Sequence, residues 1–157
     1  MPAESAVEVI INCSSGTFNS DEVSRQVTAL FEARGLRAHV SIGTSGAQVV
    51  ELARQAAQGN NSTIVAGGGD GTISSVAAAL AGTAKTLGVL PLGTLNHFAK
   101  DMNIPLDLEG AINVICEGRV RSVDVGEVNG HIFINNSSLG LYPSIVRERQ
   151  KQQRLGY

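Results

Sequence analysis

The sequence is poor in the features that mark several large classes of protein. Only two cysteines occur, Cys13 and Cys116, far apart in the chain. Such a pair argues against a disulfide framework and for reduced thiols. No His/Cys spacing typical of a metal site is present, so no metal ligands are assigned. No stretch of about 18 apolar residues exists, so no helix is expected to span a membrane. The N-terminus lacks a basic segment followed by a long apolar one, so no secretory signal is read and a cytoplasmic location is expected. Charge of one sign is also lacking. The 12 basic and 14 acidic residues leave a net charge of -2, which argues against a general nucleic-acid binder. Neither an internal repeat nor a low-complexity segment is found.

What remains describes a globular α/β protein. Its 157 residues suffice for one domain with a real core. Hydrophobic residues make up 43% and charged residues 17%, as in ordinary globular proteins. Glycine is abundant, with 18 residues, and several cluster between apolar runs. These read as loops of special backbone shape. Arg147, Arg149, Lys151 and Arg154 form a basic run near the C-terminus, opposed only by Glu148.

Strand-like and helix-like segments alternate. Val7–Asn12, Arg37–Ile42, Thr63–Ala66 and Thr86–Leu90 read as strands. Asp21–Arg34, Ala47–Gln58, Thr72–Leu80, Thr94–Met102 and Asp107–Cys116 read as helices, with Gly35 and Gly59 as stops. This alternation predicts a parallel sheet covered on both faces, a three-layer architecture. Near residue 120 the pattern changes. Arg121–Val128, Asn129-Gly130 and His131–Asn136 predict a β-hairpin, at the sheet edge or bridging toward another domain. Leu141–Arg154 reads as a helix.

The richest stretch is Val65-Ala66-Gly67-Gly68-Gly69-Asp70-Gly71-Thr72, between a strand and a helix. Glycines permit close approach of a ligand, and the helix start favours a phosphate. The loop is not a Walker A loop, since no Gly-Lys-Ser/Thr follows. It is not the dinucleotide fingerprint either, because Thr72 stands where the third glycine belongs. Asp70 has two readings. It orients Mg²⁺ through water or accepts a proton from an attacking hydroxyl, or it merely caps the helix. A second stretch, Leu90-Pro91-Leu92-Gly93-Thr94-Leu95-Asn96-His97, repeats the strand–turn–helix logic and makes a shared site the better reading.

Together, Gly68-Gly69-Asp70-Gly71-Thr72 and Pro91-Leu92-Gly93-Thr94-Leu95-Asn96 resemble the catalytic domain of diacylglycerol kinases. That family is more distantly similar to NAD kinases and 6-phosphofructokinases. Asn12 to Gly16 resembles its first loop, while Asp124-Val125-Gly126 and Phe133 to Gly140 resemble its later elements. The resemblance implies a nucleotide-binding domain over residues 1–140, with 141–157 leading toward a mostly β C-terminal domain. It implies an ATP- and Mg²⁺-dependent kinase acting on a lipid hydroxyl at a membrane surface. It assigns nucleotide contacts to Asn12, Ser15, Ser41, Gly68, Gly69, Asp70, Gly71, Thr72, Thr94 and Asn96, with Asp70 as the catalytic candidate. Ser41 reads equally as an ordinary strand-end serine.

Departures from the family pattern are Cys13 for a proline, and Leu95 and His97 for a glycine and an aspartate. The basic run at residues 147–154 is read as a solvated linker face or as a contact with acidic lipid headgroups. An NAD kinase is the main competitor, but its characteristic Asn-Glu pair is missing from this sequence. A non-catalytic nucleotide-binding regulator is the third reading. A homodimer is left open.

Overall fold

The computed structural model describes residues 6–14 and 19–134. The expected helix over 141–154, the basic run within it, Ser15 and the Asn135–Gly140 motif lie outside the described residues.

Four strands, β1 (Ala6–Asn12), β2 (Arg37–Gly43), β3 (Thr63–Gly68) and β4 (Thr86–Pro91), form one sheet in the order β2-β1-β3-β4. Every pairing is parallel. The short apolar runs explain this burial on both sides. On β1, Val7, Val9 and Ile11 point into one core, and Ile10 points into the other. On β3, Val65 joins the first core, while Ile64 and Ala66 join the second.

Helices α1 (Ser20–Glu32) and α5 (Leu108–Glu117) cover the Val9 face, through Val27, Phe31, Ala111 and Ile112. Helices α2 (Gly46–Gln58) and α3 (Asp70–Leu80) cover the other, through Val49, Ala53, Ile73 and Val76. The result is the expected three-layer α/β fold. Local signals place the ends. Asn19, Ser45 and Asp107 cap α1, α2 and α5 with their side chains. Gly118 closes α5 in the left-handed conformation. Arg34 ties α1 to α5 through Glu109, at 3.1 Å, and Asn113.

Two elements differ from expectation. The helix expected from Thr94 starts only at His97, as the single-turn α4 (His97–Asp101). The reason is local: Asn96 takes a left-handed conformation, φ 51° and ψ 47°, so the preceding residues form a turn. The hairpin is also shorter than expected. Strands β5 (Gly126–Val128) and β6 (His131–Phe133) have three residues each. Asn129 and Gly130 both have positive φ, 51° and 78°, as the tight hairpin turn requires. The hairpin is a separate two-stranded sheet packed against α3, not an extra edge strand. Gly126 faces Phe133 across it, and any side chain on Gly126 would collide with the phenyl ring. That accounts for glycine in the Asp124-Val125-Gly126 element.

Candidate functional site

The chain order places β1 and β3 side by side although β2 comes between them in sequence. The connection after β1 runs to β2 on one side and that after β3 runs to β4 on the other, which opens a crevice at the carboxyl ends of the two strands. A cleft of about 540 Å³ lies there. Its walls come from the end of β1 (Asn12, Ser14), the glycine loop (Gly68, Gly69, Gly71, Thr72), the β4–α4 loop (Leu92, Gly93, Thr94), the start of α2 (Gly46, Val49) and Ser75 of α3.

Hydrogen bonds and close packing join the three loops. Asn12 Nδ2 donates to Thr72 Oγ1 at 2.8 Å, and Asn12 Oδ1 accepts from the Ser14 amide at 2.9 Å. Gly68 must be glycine: a Cβ there would lie 2.7 Å from Thr72 Cβ and Oγ1 and would push aside the side chain that Asn12 holds. The β3–β4 ladder continues past the strands, since the Leu92 amide donates to the Gly68 carbonyl at 3.1 Å. This carries Gly93 directly against Gly69, where a Cβ on Gly93 would overlap the Gly69 backbone.

The turn after Gly93 is held by Asn96, which is buried. Its Oδ1 accepts from the Gly93 amide at 3.0 Å, and its Nδ2 donates to the Gly93 carbonyl at 2.8 Å and the Pro91 carbonyl at 3.4 Å. Asn96 therefore shapes the loop from behind and does not line the cleft. Thr94 does line it and is exposed.

Asp70 occupies the first turn of α3, and its carboxylate reaches across to α4. The N-cap of α3 is Gly69, and no side chain caps it. Asp70 Oδ2 accepts from the His97 amide at 3.0 Å, and Oδ1 accepts from the Phe98 amide at 2.9 Å. It thus caps α4 across the molecule. The capping reading of Asp70 had the cap on its own helix; these two hydrogen bonds put it on the next one.

The structure brings together Asn12, Gly68, Gly69, Gly71, Thr72 and Thr94 around one cleft. Ser41 sits elsewhere, in a smaller depression of about 200 Å³ with Glu8, Gln55 and Asn61. Its side chain points to the α2 side two residues before β2 ends, away from the loops. Sequence reasoning missed Ser14, Gly46 and Ser75. Gly46 opens α2 just after the Ser45 cap, a signal that was legible. Ser75 lies one turn after Gly71, whose carbonyl it bonds at 2.9 Å.

Among the described residues, no charged side chain lines the cleft. The N-termini of α2 and α3, at Gly46 and Asp70, both open toward it, and their dipoles supply positive potential there. Both thiols are pushed up from the ordinary range by burial, and Arg34 partly offsets this at Cys116. Among the described residues, no group of three or more His, Cys, Asp or Glu side chains is placed to hold a metal ion.

Glycine loop, threonine loop and parallel sheet together match one family over residues 6–128, the diacylglycerol kinase catalytic domain. The chain belongs to that family. Its relatives include proteins described as probable lipid kinase YegS-like, from Yersinia pestis (strain Pestoides F) and from Yersinia pseudotuberculosis serotype O:1b (strain IP 31758). Each is 43% identical over 119 residues, covering 73% of this chain and 40% of the relative. The chain thus spans well under half the length of these relatives. A solved diacylglycerol kinase from Bacillus anthracis str. Sterne shares the fold, with a TM-score of 0.72 at 24% identity. That match covers 83% of this chain and 46% of the other. Among the described residues, no helix of this diacylglycerol kinase family member is long and apolar enough to cross a membrane.

Proposed function

We propose that this chain binds ATP as part of a lipid kinase that transfers the γ-phosphoryl group to a lipid hydroxyl. The observation that carries the reading is the glycine-walled cleft at the switch point, faced by two helix N-termini and bounded by Thr72 and Thr94. Such a cleft suits a phosphate chain. Backbone amides approach it without side chains between, and hydroxyls supply directed hydrogen bonds.

The residues also fit a metal-bound nucleotide. The described lining residues carry no charge to balance a triphosphate, and Mg²⁺ arriving with ATP would supply positive charge there. This chain's own residues do the positioning. The amides of Gly69 to Thr72 take up phosphate oxygens, Asn12 orients the Thr72 hydroxyl, and Thr94 reaches the ligand from the opposite wall. Phosphoryl transfer depends mainly on such positioning and on charge stabilisation. Residues 1–140 form this nucleotide-binding domain, and 141–157 lead toward a further β-rich part, in keeping with the greater length of the relatives. A lipid acceptor implies action at a membrane surface.

The test is calorimetric titration of the chain with Mg·ATP and with NAD. The expected result is binding of ATP in preference to NAD, weakened in Gly71→Ala. Among the described residues, a Cβ at Gly71 meets no packing neighbour within 4 Å beyond its own stretch of chain, so this methyl enters open space at the cleft without disturbing the fold. A folded chain that ignores Mg·ATP overturns the reading, and a preference for NAD replaces it with an NAD kinase-like one.

A further inference from the structure

We propose that Asp70 is a positioning residue: its carboxylate locks the Thr94 loop against the glycine loop by capping α4. The proposal rests on the nucleotide reading only for its effect on binding; the clamp itself does not.

Both Asp70 oxygens lie within hydrogen-bond distance of α4 amides, at 3.0 and 2.9 Å. Asp70 is not among the residues that line the cleft. The donors are the first two amides of a helix whose own N-cap cannot serve them. Asn96 is in the left-handed conformation, makes no side-chain cap, and spends its amide group on Gly93 and Pro91. Without Asp70 the start of α4 would lack a protein acceptor of this kind. A helix of five residues has little stability of its own.

The consequence falls on Thr94. That residue lies between two fixed points, Gly93, packed on Gly69, and His97, bound to Asp70. Its backbone path is set from both ends by the glycine loop. Asp70 therefore couples the two walls of the cleft. If a ligand draws Gly69 to Thr72 inward, the start of α4 moves with them.

The experiment compares Asp70→Ala and Asp70→Asn. Alanine removes both hydrogen bonds. Asparagine keeps one acceptor oxygen, is about as good a cap as aspartate, and cannot act as a base. Amide hydrogen exchange is read first. Asp70→Ala should speed exchange at His97 and Phe98 by roughly tenfold or more, while amides of β1 and β3 stay protected. Asp70→Asn should release only one of the two amides, which keeps the test decisive if the alanine protein does not fold.

Affinity for ATP is read second, with Mg²⁺ and with excess chelator. Positioning predicts a loss in Asp70→Ala that Asp70→Asn largely restores, of similar size in both conditions. It also predicts that Thr94→Ala adds little on the Asp70→Ala background, as coupled residues do. Unchanged exchange at His97 and Phe98 in both variants overturns the clamp. Equal losses in alanine and asparagine variants, seen only with Mg²⁺, overturn it in favour of direct metal contact. A wild-type chain that binds no ATP sinks the nucleotide reading, and exchange alone then decides the clamp.

Discussion

Gly93→Ala should destabilise the protein strongly although it adds one methyl group. The new Cβ would overlap the Cα of Gly69 and lie 3.0 Å from the Gly69 nitrogen and from Asn96 Oδ1. None of these neighbours yields easily. Two belong to backbone, and the third to a buried side chain with three hydrogen bonds. If the loops hold their places, overpacking costs about 1–3 kcal/mol. If Gly93 withdraws, its two bonds to Asn96 go, at roughly 0.5–1.5 kcal/mol each. Either way the loss is about 1–3 kcal/mol, which lowers the melting temperature of a domain this size by roughly 2–12 °C.

Gly71→Ala is the matched control. It lies in α3 with no atom near its would-be Cβ, so alanine should stabilise the helix by about 0.5–1 kcal/mol. Thermal unfolding followed by circular dichroism distinguishes them. Nucleotide titration should then show Gly71→Ala binding weakly while melting at or above the wild-type temperature. A Gly93→Ala protein that melts with the wild type would refute the close-contact argument.

Asn96 should show two separable costs. Asn96→Ala loses the bonds to Gly93 and Pro91 and strains a left-handed position, together about 2–4 kcal/mol in denaturant unfolding. Asn96→Gly should recover the strain and leave only the hydrogen-bond loss. The thiols carry a pH signature. Burial raises Cys13 and Cys116, so both favour the protonated form when folded. Their contribution is complete below the unfolded thiol pKa and lost as pH rises through the folded value. Stability should thus fall on the alkaline side, and Cys13→Ala and Cys116→Ala together should flatten that fall. Alkylation by iodoacetamide near pH 8 should run slower in the folded protein than in urea; equal rates would refute the burial argument.

The layered sheet was legible because short apolar runs and amphipathic helices obey local periodicities. Val9 and Ile10, on opposite faces of β1, already imply cover on both sides. Caps such as Ser45 and Asp107, and the Asn129-Gly130 turn, are likewise local chemistry. The glycine loop and the threonine loop could be read as two halves of one site because each follows a buried strand. What Asp70 does could not be read from them. Its partners, His97 and Phe98, are 27 and 28 residues away, and nothing in the intervening pattern pairs them. Asn96 was given a nucleotide contact by the family resemblance, whereas its conformation turns it inward to Gly93. Ser41 matched by position in the chain yet faces another depression, since side-chain direction depends on strand register. Sequence alone determined the four strands of the sheet, most of the helices and the glycine-rich loop after β3, all set by neighbours along the chain. Only the tertiary structure decided which polar groups face the cleft and which brace it, because those contacts join β1, β3 and β4 across the sheet.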